Sequence, residues 1–385
     1  MNLFERYRED AKSRCRLRDL GVAIGTTPTG PLNAITDVPG VRVGHTTLIE
    51  GSGRRKPGNG PVRTGVTVIM PNDDIYNRKL ISGGFILSGA GEVSGYTQLS
   101  EWGLLETPIA LTNTLSVGRV GDGIVKWMAQ HYPQIRDQQE VIIPVVGECD
   151  DSFLNDAVGL HIKPQNVFSA LDGATSGPVE EGAVGAGTGM ICCDFKAGIG
   201  TSSRVLNMGG KTYTVGVLVC SNFGVMEDLR MDGYPVGRLL FPTQGAYARR
   251  VNNYGSIIAV VGTDLPLSAQ QMNRVCRRAA LGIGRVGSYG AHGSGEIIIG
   301  FSTANEVPQR PTDHFHQVKM IRDSALDPVY KSVIETTEES ILNSLTMAVD
   351  MEGAGNNKVP AINIARVRGL LEHYQSVQRL IGAKV

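Results

Sequence analysis

Net charge is the first thing this chain lacks: thirty-seven basic residues balance thirty-seven acidic ones. A neutral chain has no overall field with which to gather nucleic acid or an anionic membrane. No CxxC pair occurs among Cys15, Cys149, Cys192, Cys193, Cys220 and Cys276, so zinc-type ligand spacing is missing. The adjacent Cys192 and Cys193 read as small buried hydrophobes. No apolar run reaches the length of a membrane helix, and the charged start MNLFERYREDAKSRCRLRDLG has no secretory apolar core. Together these absences predict a cytoplasmic protein with reduced thiols, no membrane and no nucleic-acid partner. Aromatics are sparse at 6%. Glycine is abundant, 49 of 385 residues against roughly 7% in ordinary proteins. It follows no Gly-X-Y period and falls among aliphatic runs, which excludes collagen and flexible linkers and predicts tight turns and close backbone contacts.

A hydrophobic share of 41% excludes wholesale disorder. From Val62 onward aliphatic strands alternate with amphipathic helices. Strands are predicted at Val66–Met70, Phe85–Gly89, Pro108–Leu111, Val141–Val146, Tyr213–Cys220, Ile257–Val261 and Ile297–Phe301. Helices are predicted around Tyr96–Gly103, from Gly123, and at Ala269–Leu281, Asp327–Val349 and Ile362–Tyr374, with Asp327 capping its helix ahead of Pro328. No repeat or low-complexity linker divides the chain, so residues 1–385 read as one layered α/β unit. The glycine-rich GAVGAGTGM at Gly182–Met190 lacks the strand and helix that would make it a dinucleotide fingerprint.

The most informative segment runs from Arg249 to Asp264, where Gly255 and Ser256 lead straight into an apolar strand. A serine before a buried strand is ordinarily a turn residue. The chemistry that uses it is self-cleavage. With Gly255 in a strained turn, the Ser256 hydroxyl attacks the Gly255 carbonyl, and hydrolysis of the resulting ester leaves Ser256 as a new N-terminus. Its α-amine titrates near pH 8 and lies on the nucleophile's own residue, where it serves as the base.

Four motifs give this segment a family context: NNYGSIIAVVGTD around Ser256, GSGE at Gly293–Glu296, VCSNFG at Val219–Gly224, and NAITDVPGVRVGH at Asn33–His45. Together they resemble the DmpA-type aminopeptidases, which include L-aminopeptidase/D-Ala-esterase/amidases and β-peptidyl aminopeptidases. The resemblance runs from about residue 17 to the C-terminal helices. It implies a four-layer αββα sandwich, similar to N-terminal-nucleophile hydrolases but with different strand connectivity. It also implies self-cleavage into an α chain, 1–255, and a β chain, 256–385, assembled as a homo-oligomer, a tetramer of such αβ heterodimers, with no metal or organic cofactor. Short peptides, amino-acid amides or esters are the implied substrates.

By the same resemblance Ser256 is the nucleophile, and Ser294 and Glu296 are polar partners placed beside it. Asn222 lies near the reacting carbonyl, and Glu148 holds the substrate's free amino group. Without the resemblance, GSGE reads as an exposed turn, Asn222 as a strand-closing turn residue and Glu148 as a surface acid. One position departs: Cys149, Asp150 and Asp151 stand where some members carry a tyrosine, and an extra acid there would bear on substrate preference.

Two other readings stay open. His292 next to Ser294 suggests a serine–histidine amidase without self-cleavage, although no GxSxG elbow is present. An uncleaved ligand-binding or assembly protein is the non-enzymatic alternative. His314 and His316 read as surface or interface residues rather than metal ligands.

Overall fold

In a computed structural model, the structure describes residues 3–244 and 254–380. Arg249, Arg250, Val251, Asn252 and Asn253, the polar lead-in to Gly255, lie outside the described residues. The first half of the chain forms α1 (Leu3–Ala11), β1 (Arg42–Glu50), β2 (Val62–Met70), β3 (Arg78–Gly89), β4 (Val93–Ser94), α2 (Tyr96–Trp102), β5 (Leu104–Leu105), β6 (Ile109–Asn113), α3 (Val117–His131), α4 (Pro133–Asp137), β7 (Val145–Cys149) and α5 (Pro164–Asp172). The second half adds β8 (Ile191–Cys192), β9 (Phe195–Lys196), β10 (Ile199–Met208), β11 (Lys211–Asn222), α6 (Val236–Gln244), β12 (Tyr254–Thr263), α7 (Ala269–Val286), β13 (Gly293–Pro308), α8 (Asp327–Thr346), β14 (Met351–Glu352), β15 (Lys358–Val359) and α9 (Ile364–Leu380).

Strand alternation builds the layers. Along β12, Ile257, Ala259 and Val261 join a core with Met272, Val275, Leu342 and Leu345 of α7 and α8. Ile258 and Val260 point the other way, into a core with Val68, Leu111 and Val146 of a second sheet. One sheet runs β1-β2-β6-β7-β4, the other β10-β11-β12-β13-β3-β5. Pairs β6–β7 and β12–β13 are parallel, and their neighbours are antiparallel. Helices α3 and α5 lie against the first sheet, α7 and α8 against the second. The order is helix, sheet, sheet, helix, the four-layer sandwich expected from the sequence.

Several boundaries move. The run Val141–Val146 is apolar but only its end is strand; β7 is Val145–Cys149, and Val141 is 82% exposed. The helix expected from Gly123 begins at Val117. Helix α8 starts at Asp327 as expected, yet Leu326 occupies the capping position and no side chain caps it. Its sequence shows no clean apolar stripe because it is buried on all sides from Glu335 to Thr346.

Burying α8 buries its acids, and Arg204 answers them. Its guanidinium is fully buried and donates to Glu339 Oε2 at 2.7 Å, with Glu335 Oε2 at 3.5 Å. Arg18 adds a bidentate pair to Glu339 at 2.7 and 2.9 Å, and Asn33 Nδ2 donates to it at 2.6 Å. Burial pushes the Glu339 carboxyl up, but Arg18, Arg204 and Asn33 together hold it below the usual range. The Asn33–His45 motif is therefore structural: Asn33 also accepts from Ser203 N at 2.9 Å, Asp37 accepts from Leu32 N and Ala34 N, and His45 Nδ1 bonds Thr67 Oγ1. Arg204→Met should cost about 3–5 kcal/mol, read as a lower denaturant midpoint. A loss under about 1 kcal/mol would mean that Glu335 and Glu339 are compensated without it.

Candidate active site

Three strands of the second sheet bring all the candidate residues but Glu148 together; Glu148 stands on β7 of the first sheet. Ser256 pairs with Asn222 across β11–β12 and with Gly295 across β12–β13, and Gly255 pairs with Ser294 and Ile257 with Glu296. Neighbouring strands lie about 4.8 Å apart, so the whole set falls within a few residues of one peptide bond. Ser256 shares its parity with Ile258, so its hydroxyl faces the first sheet; there it meets the Cys149 thiol, whose sulfur also donates to Cys220 O at 3.4 Å. Burial pushes that thiol far up, so it is neutral beside the Ser256 hydroxyl. Gly255 does not sit in the strained turn that was expected; it is already within β12. Its φ is +154°, a conformation glycine tolerates and other residues avoid.

Ser294 and Glu296 share the parity of Ile298, on the helix side of the sheet. They flank the Gly255–Ser256 peptide bond from the face opposite the Ser256 hydroxyl. GSGE is not an exposed turn: Ser294 is 1% and Glu296 0% exposed. Ser294 Oγ donates to Glu296 Oε1 at 2.6 Å, and Ser288 Oγ donates to the same oxygen at 3.1 Å. Glu296 Oε2 is buried with no hydrogen-bond partner among the described residues. Burial pushes the carboxyl above its ordinary range, against the two serine hydrogen bonds. Ser288 has no motif to mark it; a serine in a glycine-rich loop carries no signal.

Asn222 is the last residue of β11, and its amide is held at both ends. Its Oδ1 accepts from Ile191 N at 2.9 Å and its Nδ2 donates to Asp150 O at 2.9 Å. Behind Ile191, the fully buried Lys196 ties the loop together, donating to Gly187 O, Met190 O and Ala197 O at 2.6–3.0 Å. Burial brings Lys196 down to about 7. The glycine-rich Gly182–Met190 thus serves to present Ile191 to Asn222.

Glu148 is no surface acid: it is 3% exposed. Its Oε1 accepts from Glu92 N at 2.9 Å, and its Oε2 accepts from Thr114 Oγ1. Burial pushes its carboxyl up, and the nearby charges of Asp150 and Glu92 add to the shift against those hydrogen bonds. Of the three residues at the departing position, Cys149 touches Ser256, Asp150 bonds Ser152, and Asp151 is buried against Asn155, where burial raises it to about 7. Gly91 separates Glu148 from Gly295, the ladder partner of Ser256. His292, His314 and His316 are all exposed.

The chain matches the model of peptidase family S58 over residues 33–359. It is 41% identical over 380 residues to the β-peptidyl aminopeptidase BapA of Sphingosinicella microcystinivorans, covering 96% of this chain and 94% of that protein. The solved PH0078 protein of Pyrococcus horikoshii superposes with a TM-score of 0.89 at 42% identity, over 94% of this chain and 99% of that one. The L-aminopeptidase D-Ala-esterase/amidase of Ochrobactrum anthropi, described as a new variant among the Ntn-hydrolase fold, gives 0.86 at 39% identity, over 94% and 99%.

A buried carboxyl with a raised pKa lowers stability as pH rises. Between the ordinary range, about 4.3, and the raised folded value, the folded chain keeps a proton that the unfolded chain gives up. In a Ser256→Ala background, Glu296→Gln should therefore raise the melting temperature at pH 8 and leave it unchanged near pH 4. A lower melting temperature at pH 8 would contradict an uncompensated Glu296.

Proposed function

The chain belongs to peptidase family S58, that of the DmpA- and BapA-type aminopeptidases, and is an aminopeptidase of that family; we propose that it matures by cutting itself between Gly255 and Ser256. The observation that carries this reading is the ladder itself. Gly255, in a glycine-favouring conformation, presents its carbonyl beside a serine whose neighbours are Asn222 on one strand and Ser294-Gly295-Glu296 on the other.

In the first step Ser256 Oγ bonds to the Gly255 carbonyl carbon. The C–N bond breaks, and the hydroxyl proton ends on the Ser256 nitrogen. Glu296, held towards its neutral form and bonded to Ser294, supplies and recovers a proton on that side of the peptide. Water then cleaves the ester, leaving a Gly255 carboxylate and a Ser256 with a free amine and hydroxyl. The amide of Asn222 meets the developing oxyanion; one such donor is worth roughly 3 kcal/mol in comparable sites.

In turnover the Ser256 amine takes the hydroxyl proton as Oγ attacks the substrate carbonyl, and returns it to the leaving amine. Glu148 binds the substrate's ammonium, which orients short peptides, amides and esters with a free N-terminus. The relatives named for β-peptidyl and L-aminopeptidase activities support small β-amino or α-amino residues as substrates. The mature enzyme is read as a homo-oligomer, a tetramer of two-chain units, for which exposed Trp102 and Phe315 supply apolar surface. A serine–histidine mechanism finds no support in the exposed His292.

Ser256→Ala should abolish hydrolysis of amino-acid amides, whereas His292→Ala should retain it; a lethal His292→Ala would overturn the mechanism. Glu148→Gln should cut kcat/KM for free-amine substrates about 10- to 100-fold, the worth of one charged hydrogen bond, while self-cleavage proceeds.

A further inference from the structure

The two anchors of the proposed site, the Ser256 nucleophile and the Glu148 carboxylate, belong to different sheets. A crossover of three residues, 90–92, joins them: Gly89 at the end of β3 pairs with Gly295, and Val93 in β4 pairs with Gly147. Gly91 is the midpoint and is exposed. A Cβ placed on it would stand 3.1 Å from Glu148 Oε1, 3.8 Å from Gly295 Cα and 4.0 Å from Ile297 Cδ1. Its bare Cα therefore borders the gap between the carboxylate and the ladder partner of the nucleophile.

We propose that Gly91 is a specificity-determining residue, whose missing side chain leaves room for the extra methylene of a β-amino residue. This rests on the reading of Ser256 as nucleophile and Glu148 as ammonium binder. With the carbonyl carbon at Ser256 and the ammonium at Glu148, an α-amino residue places one carbon between them and a β-amino residue two. The added bond is about 1.5 Å long, and the backbone that borders its path on the crossover side is that of Gly91. A methyl group at 91 competes with that methylene for the same space. The 3.1 Å contact with Glu148 needs a shift of only tenths of an ångström, so alanine is a mild probe.

The test compares kcat/KM on β-homoalanine amide and L-alanine amide for the mature wild type, Gly91→Ala, Gly89→Ala and Ile297→Val. One methylene in a fitted pocket is worth roughly 10–200-fold. Gly91→Ala should therefore lose at least about tenfold more on the β-amino amide than on the α-amino amide, with self-cleavage intact because that step uses no free ammonium. Gly89→Ala controls for loop stiffening, since its Cβ would meet only Ile86 Cγ2 at 3.7 Å, and should keep the wild-type ratio. Ile297→Val withdraws the third wall and should shift the ratio the opposite way, a readout independent of whether Gly91→Ala folds. A ratio unchanged in both Gly91→Ala and Ile297→Val, or shifted equally by Gly89→Ala, would overturn the inference while hydrolysis by the wild type stands. A wild type that hydrolyses neither amide would overturn the reading beneath it.

Discussion

The site depends on one arrangement, a peptide bond built into a β-ladder between an antiparallel and a parallel neighbour. Because side chains alternate along a strand, this arrangement gives the Gly255–Ser256 bond two distinct surroundings. The hydroxyl of Ser256 is directed between the sheets, towards Cys149, while Ser294 and Glu296 lie on the helix side. The hydroxyl and the Ser294–Glu296 pair thus lie on opposite faces of the same bond without crowding each other. Close approach between the sheets is what glycine permits: a Cβ at Gly147 would already be 3.1 Å from Ile258, and one at Gly295 would be 2.6 Å from Ala90 O.

Charge is handled in two contrasting ways in the same fold. Around α8 the buried acids are answered, Glu339 by Arg18 and Arg204 and by the Asn33 amide. At the site they are not. Among the described residues, Glu296 leaves one oxygen unpartnered, and Glu148 is bonded by a backbone N–H and a threonine hydroxyl without a cation. A buried carboxyl short of a cation is costly to ionise, a property in keeping with the proton exchange and ammonium binding proposed for them. The network near α8 contributes stability that the site does not.

Much of this was legible in the sequence, and the parts that were not have physical reasons. The aliphatic runs of β11, β12 and β13 located the central strands because they are buried on both faces, leaving hydrophobicity as the only signal needed. Val141–Val146 misled because apolarity does not distinguish a strand from the exposed approach to one. Helix α8 showed its extent to within three residues but not its burial on all sides, because buried acids and hydroxyls interrupt its apolar pattern. Ser256, Ser294, Glu296, Asn222 and Glu148 were singled out through motif resemblance. Ser288, Thr114, Cys149 and Lys196 act through contacts between distant segments, or through a loop with no pattern, and leave no local trace. The glycine excess was readable as close approach at strand ends around one pocket, Gly147, Gly255 and Gly295 among them, but only the fold adds Gly91 to this end of the sheets.

The most direct measurement is the intact mass of the purified wild-type chain under denaturing conditions, followed in time alongside amide hydrolysis. Conversion into two chains, residues 1–255 and residues 256–385 with Ser256 at its N-terminus, with hydrolysis appearing in step, is the predicted result. Full hydrolysis by a chain that stays undivided would contradict a nucleophile released by its own cleavage.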